Sequence, residues 1–377
     1  MLKVLSDILK AVDAGDLAVL TLLDLSMAFD TVDHATLLQR LKVSYGLGGS
    51  VLRWFSSYLD GRTQYVRCGT SRSGSSVIGC GVPQGSVLGP ILFLLYAADL
   101  LRLIEHHQLR PHLYTPTTRK STVYGAYSPS ATLQLQTRVS ECVDDVARWM
   151  RLNRLQLKTE KTDVIWCASN RRQHQIPATG LRVGADDVLP SRSVRDLGIY
   201  IDADVSMKTH VAKTVSSCFA VQRQLRNIRR SVMQPVMQSL VVSLVLTRLD
   251  YGNSTFAGIP GHSLAKLQSV LNAAARLIFM SRKFDHVTPL LRELHWLRFP
   301  ERIDYKLAVL VFKCLNRLAP MYLAMQRTSS RRGHSHDGIC GRRRRRNSLF
   351  HEFAVQLSAA VHFPSLQRVS GTVSRLT

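Results

Sequence analysis

Hydrophobic residues in the first half of the chain follow helical and strand-like spacings in turn. After Gly15 and Asp16, the run LAVLTLLDLS is continuously apolar, which is typical of a strand that is buried on both faces. Other periodic segments predict helices over residues 36–43, 51–59, 87–101 and 131–153. A first helix is predicted from five apolar residues on one helical face: Val4, Leu5, Ile8, Leu9 and Val12.

Short strand-like segments lie between these helices. They are TQYVRC, SSVIGC, DVIWCA and a pair in HLYTPTTRKSTVYG that has the outline of a strand, a turn and a second strand. Helices interleaved with strands around an antiparallel hairpin predict an α+β fold, in which helices back a sheet.

The pattern becomes helical from about Lys208. Four helical stretches follow, over residues 208–230, 235–249, 263–282 and 301–318. Beyond Gln326 the composition shifts to TSSRRGHSHDGICGRRRRRNS, and like charges at that density repel one another. The sequence therefore predicts three parts: an α+β region over 1–205, an all-helical region over 206–325 and a disordered basic tail over 326–377.

The charge of the chain indicates a polyanionic partner. Among 377 residues, 50 are Lys or Arg and 26 are Asp or Glu, which gives a formal net charge of +24. Each phosphate that a basic side chain neutralises releases a counterion, so such an excess favours nucleic-acid binding. The alternative is a basic surface that is only solvated. A 45% hydrophobic composition excludes a fully disordered chain.

The spacing of the cysteines and the lengths of the apolar runs indicate in which cellular compartment the protein is expected. The seven cysteines stand singly, with no paired spacing, and we interpret them as reduced thiols of an intracellular protein, nuclear or cytoplasmic. The longest apolar runs, PILFLLYAADLL and VMQSLVVSLVL, are shorter than the roughly 20 residues that a membrane span needs. We therefore predict buried helices there and no membrane partner.

Two segments carry candidate chemistry. In TLLDLSMAFDTVDH, Asp24 ends a buried strand, a position that can present a carboxylate to a cleft, although a strand-end Asp can also cap the next segment. In GVPQGSVLGP, glycines and prolines frame Gln84 and Ser86, so the backbone can approach a ligand closely before a helix begins. An ordinary Gly/Pro loop is the alternative.

Together these two segments resemble the leading motifs of the reverse transcriptases of non-LTR, LINE-type retrotransposons, which read DLSxAFDTVDH and GVPQGSVLGP. Downstream, WMRLNRLQLKTEKTDVIW is similar to the family's lysine-bearing helix-to-strand motif. VRDLGIYID is similar to its primer-gripping hairpin, and LHWLRFPERIDYKLAVLVFKCLNRLAPMYL to its region after the polymerase core. The resemblance covers about residues 3–325.

The resemblance implies an architecture and partners. The α+β region would be a polymerase palm, an antiparallel sheet backed by helices, and the helical region would be thumb-like. Because the chain begins about twenty residues before Asp24, we expect a truncated copy with only a remnant of the fingers and no endonuclease. The implied activity is RNA-directed DNA synthesis with Mg²⁺, and the implied partners are an RNA template, an RNA/DNA duplex and deoxynucleoside triphosphates.

The resemblance also implies roles for individual residues. Asp24 would be a catalytic carboxylate and a metal ligand. Phe29 would lie under the sugar, with core packing as its alternative, and Lys161 would approach the triphosphate unless it is merely solvated. The implied nucleotide-binding residues are Leu25, Phe29, Gln84, Gly85 and Lys161.

One expected motif is replaced. The family carries YADD between the flanks HL and VYG, and its two aspartates join the strand-end carboxylate in holding two metal ions. Here Tyr114 is kept, whereas the aspartate positions fall on Pro116 and Thr117, and residues 106–140 contain no Asp or Glu. Neutral oxygens are poor ligands for Mg²⁺, and proline removes a backbone N–H. The sequence therefore predicts a degenerate site with impaired catalysis.

A similar tetrapeptide, YAAD at residues 96–99, lies in the apolar helix after GVPQGSVLGP, and we do not expect it to replace the motif. Two alternatives to an active enzyme follow: a non-catalytic nucleic-acid-binding remnant, or an unstable pseudogene product that exposes apolar surface. In the family, the thumb-like part lies along the primer–template duplex. The basic residues implied to contact nucleic acid are Lys208, Lys213, Arg223, Arg226, Arg229 and Arg230.

Overall fold

The computed structural model describes residues 1–26, 29–83, 85–113, 120–128, 131–184, 186–320 and 323. They form two compact units. The sheet unit is Ala14–Leu197, and the helical unit joins Met1–Asp13 to the chain from Gly198 onward. The predicted palm, thumb and tail boundaries remain predictions, and the tail over 326–377 lies outside the described residues.

The first elements are α1 (Leu2–Ala14), β1 (Leu17–Ser26), α2 (His34–Val43), α3 (Gly49–Leu59), β2 (Thr63–Gln64), β3 (Arg67–Cys68), β4 (Ser71–Arg72), β5 (Ser76–Val77) and α4 (Leu88–His106). They continue with β6 (Arg110–Leu113), β7 (Lys120–Tyr127), α5 (Thr132–Leu152), β8 (Gln156–Leu157), β9 (Asp163–Cys167), β10 (Leu181–Val183), β11 (Asp186–Val188) and β12 (Ser193–Asp196). The predicted mixture of helices and strands is confirmed.

An antiparallel sheet of five strands, with β1 at its centre, organises the sheet unit. Strands β6, β7, β1 and β8 follow one another in that order, and β9 also pairs with β1. The β1–β7 register runs from Leu17 opposite Tyr127 to Asp24 opposite Lys120. Residues 17–23 of β1 are all buried, so the continuous apolar run is a strand with both faces out of water, as its pattern predicts.

Helices α4 and α5 cover one face of this sheet. Their buried side chains join Leu17, Val19 and Leu23 of β1 in a single hydrophobic core. At Gly125 of β7, a Cβ atom would lie 2.7 Å from Cδ1 of Leu135 and 2.9 Å from Cδ2 of Leu109, so a larger residue would displace these side chains.

The helical unit begins, after α1, with β13 (Ile199–Asp202). It continues with α6 (Lys208–Ile228), α7 (Gln234–Val241), a π-helical turn at Val242–Leu246, α8 (Thr247–Asp250), α9 (Gly261–Phe279), α10 (Val287–Glu293) and α11 (Phe299–Leu315). The four predicted helical stretches are present, with the second one interrupted by the π turn. Helix α10 was not predicted, because its seven residues are too few to establish a period.

Helix α9 is the core of the helical unit and contacts α6, α7, α10 and α11. Its inner face is buried at Leu267, Val270, Leu271, Ala274 and Ile278. Polar side chains also reach α9 from α6, since Nε2 of Gln222 donates to the Val270 carbonyl at 3.0 Å. Of the helices in the described part of the chain, none is both long and apolar enough for a membrane span.

Candidate functional site

Asp24 lies near the end of β1, at the last position that pairs with β7 and just before the first that pairs with β8. Its side chain is half-buried, and its carbonyl accepts a hydrogen bond from the N–H of Lys158 at 3.2 Å. On the other side, its Cα is paired with that of Lys120, the first residue of β7. The strand end therefore holds Asp24 in place through backbone contacts on two sides.

The segment FDTVDH, residues 29–34, is hydrogen-bonded to Gly81 and Val82 of the second motif. The N–H of Val82 donates to the Phe29 carbonyl at 2.7 Å, and the N–H of Gly81 donates to the Val32 carbonyl at 2.7 Å. His34 completes the contact, since its Nε2 donates to the Gly81 carbonyl at 2.7 Å. The two motifs thus form one structural element although they are far apart in sequence.

Gly81 is the point of closest approach between them. A Cβ atom there would lie 2.9 Å from the carbonyl oxygens of Phe29 and Asp30, and its φ of +94° is in the left-handed region. Both observations require glycine. Ser86, the next polar residue of the loop in the described chain, donates to the Pro83 carbonyl at 2.7 Å and accepts from the N–H of Gly89 at 2.9 Å. The Ser86 hydroxyl therefore accepts a hydrogen bond from the first turn of α4.

Asp33 supports the first motif from its other side. It caps α2 by accepting from the N–H and the hydroxyl of Thr36, both at 2.8 Å. Arg154 pairs with its second carboxylate oxygen at 3.0 Å. The Thr36 hydrogen bonds, with the Arg154 charge as a smaller cause, hold the pKa of Asp33 below its ordinary value. Asp33 belongs to the first motif, and its capping role is visible only in the structure.

Arg40 and Asn153 form a second support. Arg40 donates to Oδ1 of Asn153 at 2.6 Å and to the Tyr96 carbonyl, and its guanidinium carbon lies 4.6 Å from the Tyr96 ring centroid. The Tyr96 hydroxyl donates to the Asn153 carbonyl at 3.0 Å, and burial raises the pKa of that phenol. Asp99 pairs with Arg40 at 3.4 Å. The YAAD tetrapeptide is thus part of α4, as predicted, with structural partners.

Phe29 packs beside the core. Its ring centroid is 5.5 Å from that of Phe93, with 51° between the planes, and it is partly buried. This geometry gives Phe29 a packing role, and its predicted contact with a sugar remains a prediction. Gly85 is exposed at a φ of +81°, and Lys161 is exposed at the end of a turn before β9.

Of the remaining predicted site residues, the structure describes some and not others. Leu25 continues β1 and pairs with Leu157 of β8. Gln84 lies outside the described residues, and so do Tyr114, Pro116 and Thr117. Their flanks are described: β6 and β7 pair antiparallel, with Leu113 opposite Ser121. The predicted pair of strands is confirmed, and Lys120 brings its second strand beside Asp24.

Comparison with known proteins decides the family. The model of the family "Reverse transcriptase (RNA-dependent DNA polymerase)" matches residues 6–201, just over half of the chain. The chain belongs to the reverse transcriptase family. The match contains β1, the loop before α4 and the β6–β7 pair, which are the elements around Asp24.

Curated relatives identify the branch of the reverse transcriptases. The chain is 26% identical over 305 residues to the probable RNA-directed DNA polymerase from transposon BS of Drosophila melanogaster, covering 79% of this chain and 33% of the relative. It is 24% identical to the X-element protein of the same organism, covering 78% and 32%. This chain is a non-LTR, LINE-type reverse transcriptase domain, and it spans about a third of the length of these relatives.

A third relative, the RNA-directed DNA polymerase from mobile element jockey of Drosophila funebris, is 36% identical over 98 residues, covering 26% of this chain and 10% of its own length. Among solved structures, telomerase from Candida albicans in complex with an RNA fragment matches with a TM-score of 0.40 and 12% identity. That match covers 78% of this chain and 53% of the telomerase chain.

Reverse transcriptases generally use divalent metal ions, so the ligand set of this domain can be tested for fit. Asp24 provides one carboxylate, and residues 114–119 between β6 and β7 contain none. In the described part of the chain, no group of three or more His, Cys, Asp or Glu side chains is placed to hold a metal ion. A lone carboxylate does not fit a two-ion site.

The basic residues predicted to contact nucleic acid lie on or just after α6. Five are exposed: Lys208, Lys213, Arg223, Arg226 and Arg230. The sixth, Arg229, donates to the carbonyls of Leu277 at 2.8 Å and Ile278 at 2.5 Å, at the end of α9. Its guanidinium therefore satisfies helix-terminal carbonyls. Sequence spacing could not separate Arg229 from Arg226, because only packing brings α9 to one of them.

Proposed function

We propose that this reverse transcriptase domain binds a template–primer duplex and has lost most or all of its polymerase chemistry. In this proposal the sheet unit is the palm and the helical unit is the thumb. The observation that carries the loss of catalysis is the sequence of residues 114–119, between β6 and β7, because none of them is acidic.

The chemical argument concerns two divalent ions, for which Mg²⁺ is the expected species. When bound, they supply activation of the primer 3′-hydroxyl and stabilisation of the leaving pyrophosphate. Three carboxylates would be needed to hold them, whereas Thr115, Thr117 and Thr118 offer only neutral hydroxyls. Asp24 alone has too little charge to hold two hard dications. Incoming deoxynucleoside triphosphates would then meet a site without its metals.

Binding rests on different residues from catalysis. The cations of α6 are exposed, whereas Val211, Cys218 and Leu225 of the same helix are buried. Helical spacing brings Lys208, Arg223 and Arg226 to one side of α6, so these three form a basic face. Such a face contacts phosphates without reading bases, which suits the duplex of an RNA template and its DNA primer. Loss of the metal ligands leaves this face unchanged.

Primer extension on an RNA template tests the proposal. The protein, its Asp24→Ala variant and the double variant Pro116→Asp, Thr117→Asp would be compared in Mg²⁺ and in Mn²⁺. We expect duplex binding by all three, and no extension by the first two. Extension by the unmodified protein that disappears with Asp24→Ala would refute the loss of catalysis. Failure of a folded protein to bind the duplex would refute the binding function.

A further inference from the structure

Helix α3 carries two stacked aromatic rings, of which Trp54 is exposed and Tyr58 is partly buried. Trp54 is 54% exposed, and its ring lies parallel to that of Tyr58, one helical turn later, with centroids 5.7 Å apart and 12° between the planes. Arg62 extends the stack, because its guanidinium carbon is 4.3 Å from the Tyr58 centroid. Its Nε also donates to the Tyr58 carbonyl, which fixes the orientation of the guanidinium. The two aromatic rings and the guanidinium therefore form a stack of planar groups that is already ordered without a ligand.

The hairpin that follows α3 repeats the combination. It is formed by the β2–β5 and β3–β4 pairs, and Tyr65 between them is 49% exposed. The guanidinium carbon of Arg72 lies 3.6 Å from the Tyr65 ring centroid. Tyr65 is therefore a second exposed aromatic ring that is in contact with an arginine side chain.

The arginine side chains of this hairpin form a site that would favour binding of an anion. Arg67 and Arg72 are directly opposite each other in the β3–β4 register, and both are exposed. Like charges at opposed positions of a strand pair are unfavourable unless a counter-charge lies between them. From residue 44 to residue 80 the sequence has four arginines and a single acidic residue, Asp60. A phosphate bridging the two arginines would remove the repulsion.

We propose that Trp54, Tyr58, Arg62, Tyr65, Arg67 and Arg72, which we call the aromatic–arginine strip, bind unpaired nucleotides of a single-stranded nucleic acid. Exposed rings stack on bases of any sequence, and neighbouring arginines track the phosphates. A paired duplex would not use the rings, since its bases are already stacked on one another. The inference rests on the proposed nucleic-acid-binding function and adds a site for the unpaired part of the template.

The test uses the full chain and two labelled probes, an unstructured oligouridine and an RNA/DNA duplex. Trp54→Ala should weaken oligouridine binding roughly tenfold, because stacking is lost, and Trp54→Phe should restore most of it. Tyr305→Ala is the control, since Tyr305 is 63% exposed in the helical unit. Duplex binding should be the same in all variants. Oligouridine binding that is unaffected by Trp54→Ala would overturn the inference.

Arg67→Gln separates a binding role from a structural one. Removing one phosphate contact should lower the salt slope of oligouridine binding by about 0.7. The midpoint of thermal unfolding should not fall, because the substitution relieves the repulsion with Arg72. An unchanged salt slope would count against the arginines as phosphate ligands. Normal oligouridine binding that depends on Trp54, combined with no duplex binding, would refute the proposed function while leaving the strip in place.

Discussion

The His34 imidazole donates to the Gly81 carbonyl at 2.7 Å and so connects the two motifs by which the family is recognised. Neither residue is a predicted ligand of metal or nucleotide. The bond instead fixes the turn after β1 against the loop that precedes α4. His34 and Gly81 therefore have a structural role, which is to pack one motif against the other.

Replacement of His34 by alanine should destabilise the sheet unit. The Gly81 carbonyl would lose its side-chain donor, and we expect the free energy of unfolding in urea to fall by about 1 kcal/mol. His174→Ala is the matched control, because His174 is exposed in the same unit. Equal effects of the two substitutions would contradict the assigned role of His34.

Gly81→Ala should be more damaging than Gly46→Ala. Both glycines have a positive φ, +94° and +66°, so both substitutions introduce backbone strain. Only at Gly81 would the new Cβ also meet carbonyl oxygens at 2.9 Å, whereas nothing lies within 4 Å at Gly46. We expect thermal unfolding to show about 1 kcal/mol of destabilisation for Gly46→Ala and at least about twice that for Gly81→Ala. Similar losses would show that the contact with the first motif is unimportant.

Asp33→Asn should have an effect that depends on pH. Because the folded-state pKa of Asp33 lies below its ordinary value of 3.8, the charged carboxylate stabilises the fold above that value. The stabilisation is lost as the pH falls through the folded-state pKa. Asparagine also caps helices well, so the variant loses mainly the charge. The stability difference should therefore be present at pH 7 and shrink as the pH falls below 3.8, and a difference that does not change with pH would refute this role of the charge.

Arg229→Ala and Arg226→Ala should separate stability from binding. Loss of Arg229 leaves the Leu277 and Ile278 carbonyls without its donors, and we expect about 1–3 kcal/mol of destabilisation with an unchanged salt dependence of duplex binding. Loss of the exposed Arg226 should leave stability unchanged and lower the salt slope by roughly 1. A loss of stability with Arg226→Ala and a lower salt slope with Arg229→Ala would contradict the roles assigned to these two arginines.

Divalent ions should not stabilise the protein specifically. A ligand that binds only the folded state raises the unfolding midpoint, and a lone Asp24 carboxylate gives Mg²⁺ or Mn²⁺ little to bind. We expect the same midpoint with millimolar Mn²⁺ as with the same ionic strength of NaCl. In the variant Pro116→Asp, Thr117→Asp, Mn²⁺ should raise it. A Mn²⁺-dependent rise in the unmodified protein that Asp24→Ala abolishes would reveal further ligands.

The sequence by itself determined the family, the mixed fold and the lack of acidic residues after β6. Motif spacing and the apolar run of β1 are local properties, and local patterns are what a sequence displays directly. They also predicted the helices of the second half, apart from the short α10 and the π turn at Val242–Leu246. A single turn has no period from which it could be predicted.

Only the tertiary structure decided what individual polar residues do. Arg229 and Arg226 look alike in sequence, yet the end of α9 lies against one of them. His34, Asn153 and Arg40 acquire partners that are 47 to 113 residues away. Such contacts depend on how the elements pack, because a hydrogen bond or an ion pair needs its atoms within a few ångströms in space at any separation along the chain.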